Sequence, residues 1–252
     1  MKYLYYLYQT LVALPILLVV TILTAVTTSA GCTLGDARFW GYYPPMLWSR
    51  IICRVLLLPV RVEGKALIDD NTSYVFVANH QGAFDIFLAY GFLGRNFKWM
   101  MKKGLGRIPL VGRACRKAGH IFVDKGGPKA IQHTYDEARR VLKSGTSVFV
   151  FPEGARTFTG HMGLFHRGGF QLADELQLPI VPITIDGSFD VMPRMRDLKF
   201  CHWHPLTLTI HAPIPPKGKG PDNIKASMAE AYDAIMAGLP AERQGYVKND
   251  DQ

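Results

Sequence analysis

The sequence predicts an α/β domain, a mixed β-sheet covered by helices, behind a long apolar N-terminal helical segment. Three observations predict it. Residues 3–30 carry no charge, short β-rich runs alternate with helical stretches after Glu63, and polar residues recur where those runs finish. With 252 residues, 48% of them hydrophobic, the chain can bury a sizeable core. The expected organisation is an N-terminal segment over 1–62, a folded domain over 63–240 and a polar tail over 241–252.

The apolar run Leu11–Ala30 comes first. At 1.5 Å per residue, such a run crosses a hydrocarbon core of ~30 Å as a helix. Tyr3, Tyr5, Tyr6 and Tyr8 precede it as interfacial aromatics do, and Pro15 is placed to kink it. A cleaved signal is the rival reading, since Ser29-Ala30-Gly31-Cys32 resembles a lipoprotein cleavage site. Against it stand a single n-region charge, Lys2, and a run longer than the usual h-region. Phe39–Val60 reads as an interfacial helix with Arg50 and Arg54 snorkelling, or as a second hydrophobic helix lying on the membrane. Arg38, Arg50, Arg54 and Arg61 all follow the run, so the positive-inside rule expects the folded domain on the cytoplasmic face.

In the soluble part, Tyr74–Ala78 reads as a buried strand that delivers Asn79 and His80 at its end. Ile121–Val123 is a second strand, and Asp124–Gly127 a turn. Pro128 then opens a helix with Ile131, Tyr135, Ala138 and Leu142 on one face, closed by Gly145. Ser147–Phe151, Ile180–Ile185 and Leu206–Ile210 complete the visible strands, the last expected at a sheet edge.

Charge is unevenly spread. Arg95 to Arg140 holds twelve Lys and Arg against three Asp and Glu, so this band carries an excess equal to the whole net charge of +9. A local anionic partner is implied, or a solvated basic face. No nucleic-acid module accompanies the band, so nucleic acid is not the expected partner. Cys32, Cys53, Cys115 and Cys201 form no C-x-x-C pair, which argues against a disulfide framework or a zinc ribbon. Cys201, His202, His204 and His211 lack metal-ligand spacing, and no metal is expected.

Three polar groups lie at strand ends, where α/β folds bind ligands. His80 and Asp85 are five apart. A turn between them lets the carboxylate fix one ring nitrogen and leaves the other to take a proton. No G-x-S-x-G elbow supplies a serine, so the nucleophile is open to being a substrate hydroxyl. In Glu153-Gly154-Ala155-Arg156-Thr157, Gly154 permits a sharp turn and Arg156 offers a planar fork for phosphate. A structural Glu153–Arg156 ion pair is the plainer reading. Lys102, Lys103 and Lys125 stand near turns where an ammonium reaches a phosphate.

In order and spacing these segments resemble the glycerolipid acyltransferase family, and within it the 1-acylglycerol-3-phosphate acyltransferases. The likeness runs over about residues 60–215. It rests on Asn79-His80 through Asp85, Gly119-His120-Ile121-Phe122-Val123-Asp124-Lys125, Phe151 through Thr157, and Ile180-Val181-Pro182-Ile183. Lys102-Lys103-Gly104-Leu105 with Ile108-Pro109 adds to it. The resemblance implies a glycerol-3-phosphate acyltransferase-like fold, His80 as general base and Asp85 as its partner. It further implies that Glu153, Gly154 and Arg156 bind the acceptor, with Arg156 on its phosphate. The implied acceptor is lysophosphatidic acid or a related lysolipid, and the implied donor an acyl thioester on coenzyme A or acyl carrier protein. No bound cofactor is implied, and membrane lipids are the surrounding partner. The family usually has arginine where Lys125 stands and glutamate where Gly104 stands. Lys125 keeps the charge without the bidentate fork. Two rivals stay open on the residues alone: a hydrolase using the same dyad on water, and a non-catalytic protein that binds anionic lipid.

Overall fold

A computed structural model describes residues 2–124, 126–143, 145–194 and 200–246. The first element, α1, is a continuous helix over Lys2–Leu34. Its turn Gln9–Ala13 is π-helical, directly before Pro15, whose missing N–H and bulky ring disturb the preceding turn. By length and composition α1 can cross a membrane. Its Leu11, Leu14, Leu18, Val19, Ile22, Leu23 and Val26 side chains are exposed.

One side of α1 is fastened to the domain. The Tyr5 and Tyr8 hydroxyls donate to the Leu56 and Val55 carbonyls, at 2.6 and 2.8 Å. The Gln9 amide pairs both ways with the Cys201 backbone, at 2.7 and 2.9 Å. After a single turn at Ala37–Trp40, helix α2 (Tyr43–Val55) packs between α1 and α3 (Asp85–Phe92). Trp48 Nε1 donates to Thr21 Oγ1 at 2.9 Å, and Arg50 Nε donates to the Gly91 carbonyl at 2.6 Å. Arg50 Nε is thus anchored on the end of α3, while Arg54 on the same helix is exposed. One face of α2 packs on α1 and α3, and its Tyr43 and Leu47 side chains are exposed.

Among the described residues seven strands form the sheet: β1 (Val60–Glu63), β2 (Val75–Ala78), β3 (Phe97–Lys102), β4 (Ile121–Val123), β5 (Ser147–Val150), β6 (Ile180–Asp186) and β7 (Leu206–Ile210). Their order is β1-β7-β6-β2-β5-β3-β4, with only β6 and β7 antiparallel neighbours. The mixed sheet covered by helices is thus observed. Two strands were not legible, β1 and β3, since Val-Arg-Val-Glu and Phe-Lys-Trp-Met-Met-Lys mix charge into short runs. Because β1 pairs with β7, Leu206–Ile210 is interior rather than an edge. The expected boundary at 62/63 runs through β1.

Alternation along the strands splits the core. Phe76, Phe97, Trp99, Phe149 and Ile183 face α1–α3. Val75, Val77, Val148 and Ile180 face α5 (Pro128–Lys143), α6 (Gly168–Leu176) and α7 (Pro221–Gly238). Between β3 and β4 a shorter helix, α4 (Val111–Lys117), packs on α1. On α5, Ala138 and Leu142 are buried as expected, whereas Ile131 at the free end is exposed. The start of the expected tail is ordered. Arg243 pairs with Asp190 at 2.5 Å, and the Gln244 amide donates to the Leu239 carbonyl. Residues 247–252 lie outside the described residues.

Candidate active site

Four parallel neighbours, β6, β2, β5 and β3, end on one edge, and the site is built there. Where β2 stops, Asn79 takes over from the ladder. Its amide donates to the Ile185 carbonyl and accepts from Ile185 N, both at 2.8 Å. That buried side chain copies a strand's pairing and fixes where His80 emerges. The chain then turns back at Gly82, where a Cβ would lie 2.4 Å from the Ser188 carbonyl oxygen, so only glycine fits.

The turn returns Asp85, the first residue of α3, to His80. His80 Nδ1 and Asp85 Oδ2 are 2.6 Å apart, and the same oxygen accepts from Gly82 N at 3.0 Å. Asp85 is 0% exposed, at a helix start where backbone N–H groups favour negative charge. Its Oδ1 is buried without a hydrogen bond. With Nδ1–H held by the carboxylate, Nε2 is the basic nitrogen. The imidazole lies flat on Phe151, centroids 3.9 Å apart at 9°, and Phe151 in turn stacks on Trp99 at 5.5 Å. A ring face over imidazolium stabilises it.

Glu153 is 4% exposed and faces inward. Its two oxygens accept from His80 N at 2.7 Å and Gly163 N at 2.8 Å. Burial pushes its carboxyl up to about 8, the two backbone N–H groups oppose that, and the charge of Asp85 adds to it. The Glu153–Arg156 pair of the plainer reading is therefore replaced: the carboxyl ties one loop to the other. The Arg156–Thr157 peptide completes the tie. Its N–H donates to the His80 carbonyl at 3.0 Å, and its C=O accepts from Arg194 at 3.0 Å. Gly154 has φ +75, as the expected sharp turn requires. Arg156 is half-buried and has no ion-pair partner among the described residues.

The lysines occupy the far side of the same edge. Registers Phe76↔Phe149 and Phe149↔Trp99 place Lys102, at the end of β3, two strands from His80. That is a separation of about 10 Å at the usual inter-strand spacing. Lys103 Nζ pairs with Asp124 at 2.5 Å. Hydrogen bonding to Lys103 is the main reason that the Asp124 carboxyl sits below its ordinary range. Lys125 lies outside the described residues. His120 is internal. Its Nδ1 accepts from Trp99 N, its Nε2 sits 2.6 Å from the Tyr90 hydroxyl, and burial with nearby Lys98 lowers it to about 3. The Cys201 backbone pairs with Gln9, its thiol is buried, and His211 pairs with Thr184. No metal-ligating cluster occurs among the described residues.

Asn79, Gly82 and Phe151 lay within the motif segments, but sequence reasoning gave them no role, and it missed Arg194 altogether. A polar residue closing an apolar strand was the available signal for Asn79. Nothing marked Arg194.

A family model described as Acyltransferase matches residues 59–186, just over half of the chain. A chloroplastic 1-acyl-sn-glycerol-3-phosphate acyltransferase of Arabidopsis thaliana is 33% identical over 178 residues, 70% of this chain and 49% of the relative. The alpha form of the same enzyme from Homo sapiens is 33% identical over 66% of this chain and 59% of its own length. The chain thus spans about half the length of the curated relatives it matches. The crystal structure of the 1-acyl-sn-glycerophosphate acyltransferase of Thermotoga maritima shares the fold, with TM-score 0.75 and 24% identity over 93% of each chain.

Proposed function

Since the chain belongs to the acyltransferase family, we propose that it transfers an acyl group from a thioester to the free hydroxyl of 1-acylglycerol 3-phosphate, forming phosphatidic acid. One observation carries the reading: His80 is held at Nδ1 by a buried carboxylate and keeps Nε2 for a proton. His80 Nε2 removes the hydroxyl proton as the acceptor oxygen attacks the thioester carbonyl. Asp85 and the face of Phe151 stabilise the imidazolium that forms. The tetrahedral adduct then collapses, the carbon–sulfur bond breaks, and the imidazolium returns the proton to the leaving thiolate. Coenzyme A or acyl carrier protein is the thiol released.

The acceptor phosphate lies between Arg156 on one side and Lys102 on the other. His80 and Lys102 follow strands about 10 Å apart with β5 between them, so the acceptor would lie across that edge over the end of β5. Gly154 shapes that wall and Glu153 fixes it, while Lys103 and Lys125 add positive charge. Membrane lipids contact the exposed apolar side of α1. By the positive-inside rule the domain faces the cytoplasm.

His80→Ala should cut thiol release from acyl thioester plus lysophosphatidic acid by about 10²–10⁴-fold, with the thermal midpoint nearly unchanged. Near-normal turnover by a folded variant would remove His80 from the mechanism. Release of fatty acid from a lipid ester in the absence of any acyl thioester would favour the hydrolase reading.

A further inference from the structure

The stretch from Arg95 to Val123 contains eight Lys and Arg and no Asp or Glu. At its centre, Leu105, Ile108 and Leu110 are 43%, 46% and 51% exposed. Large apolar side chains ringed by cations and left in the open suit an anionic bilayer surface better than water.

This exposure is built into the loop. Ile108 N donates to the Leu105 carbonyl, and Gly112 N to the Ile108 carbonyl at 2.8 Å. A Cβ on Gly112 would sit 2.2 Å from the Gly106 carbonyl oxygen, so the loop closes on itself backbone to backbone. Arg116 donates to that same carbonyl. Leu110 has φ +60, and Val111 N donates to the Pro109 carbonyl at 2.6 Å across it. That is the rare, strained three-residue turn. A leucine held in such a turn and pointed outward is displayed. It is not a loose end.

The position is equally specific. The loop continues into α4, which packs against α1, the helix that carries the other exposed apolar surface. Arg113 and Lys117 on α4 are exposed. The stretch 95–123 itself holds no carboxylate, and the two that meet its margins pair with Arg95 (Asp70) and Lys103 (Asp124), leaving Arg107 and Arg113 without an ion-pair partner among the described residues.

We propose that the loop Lys103–Leu110, with Arg113 and Lys117, is a second membrane-docking surface, which inserts Leu105, Ile108 and Leu110 among anionic lipid headgroups. It rests on the membrane association of α1 proposed above, but not on the acyl-transfer reaction. Docking of both surfaces sets the carboxyl edge of β3, and hence the open side of the site, against the bilayer.

The test is amide hydrogen exchange on the full chain in nanodiscs of phosphatidylcholine alone or with 30 mol% phosphatidylglycerol, a composition of the experiment's choosing. Exchange over 104–112 should slow by about fivefold or more on the anionic discs, the factor expected for even one well-placed cation. Protection of α1 should be equal on both. Leu105→Ser with Ile108→Ser should abolish the loop's protection, and Arg113→Gln with Lys117→Gln should reduce its dependence on anionic lipid by about fivefold or more. Equal loop exchange on the two discs would overturn the proposal. So would undiminished protection in the serine variant, or the same protection from inorganic phosphate in detergent. An absence of α1 protection on either disc would sink the membrane reading on which it rests. No substrate is present, so a chain that docks but fails to turn over lysolipid counts against the proposed reaction alone.

Discussion

Asp85→Asn is the sharpest test of the dyad, because the structure dictates how the amide must sit. In the native turn one oxygen, Oδ2, serves both His80 Nδ1 and Gly82 N, while Oδ1 is buried with no hydrogen bond. An asparagine therefore has two choices. With its oxygen in the Oδ2 place, both bonds survive, but the NH₂ group is buried without an acceptor, at a cost of about 1–3 kcal/mol. With NH₂ in the Oδ2 place, a donor faces the Gly82 N–H, and His80 must move its proton to Nε2. The first arrangement is favoured. It keeps the tautomer but loses the negative charge opposite the imidazolium, and charge-assisted hydrogen bonds are about twice as strong as neutral ones. The expected loss of turnover is about 10²-fold, rising toward about 10⁴-fold if the ring adopts the other tautomer. Thiol release from acyl thioester at saturating lysophosphatidic acid measures it, with the thermal midpoint as a check on folding. Because base and carboxylate act as a unit, adding Asp85→Asn to His80→Ala should cost little more. A folded Asp85→Asn enzyme within about threefold of native turnover, or full additivity in the double variant, would refute the dyad.

The remaining predictions concern what holds the dyad in place. Burial raises the folded-state carboxyl of Glu153 from 4.5 to about 8, so the folded chain binds the extra proton between those values. Its contribution is fully present below about pH 4.5 and is lost as pH rises through about 8, a window worth at most about 5 kcal/mol. Thermal midpoints across that window should fall less steeply for Glu153→Gln than for the native chain, whatever their offset. Parallel curves would place the titration elsewhere. Gly82→Ala puts a methyl 2.4 Å from the Ser188 carbonyl oxygen, so the turn must open. Turnover should drop at least tenfold while the sheet survives, as read by far-ultraviolet circular dichroism, and an active Gly82→Ala enzyme would mean that the turn is slack.

How much of this was legible depended on whether a segment's neighbours mattered. β2, β4, β5, β6 and β7 were readable because β-branched and aromatic runs state their own burial. β3 was not, since Lys98 and Lys102 break its pattern, and Lys98 is buried only because α4 and the Gly41 turn lie across it. His80 and Asp85 could be paired from spacing, as a tight turn brings residues five apart together. The inward facing of Glu153 could not, because its partners are the backbone amides of residues 80 and 163, far apart in sequence. Arg194 was equally silent, for its carbonyl partner at Arg156 has no side-chain signature.

Two buried carboxyls stand behind one histidine, and their surroundings assign them opposite duties. Asp85 begins a helix and touches the ring, so any positive charge formed on His80 meets it directly. Glu153 touches only backbone N–H groups, and the charge of Asp85 helps to push its carboxyl up. A desolvated wall holds one negative charge far more cheaply than two. Placing that charge on Asp85 leaves the base with a counter-ion and leaves Glu153 as a fastening between loops. Exchanging the roles would put the charge on a group that contacts no part of the imidazole. In the proposed reaction, the geometry of the two loops is thus what fits His80 to serve as a base for a substrate hydroxyl.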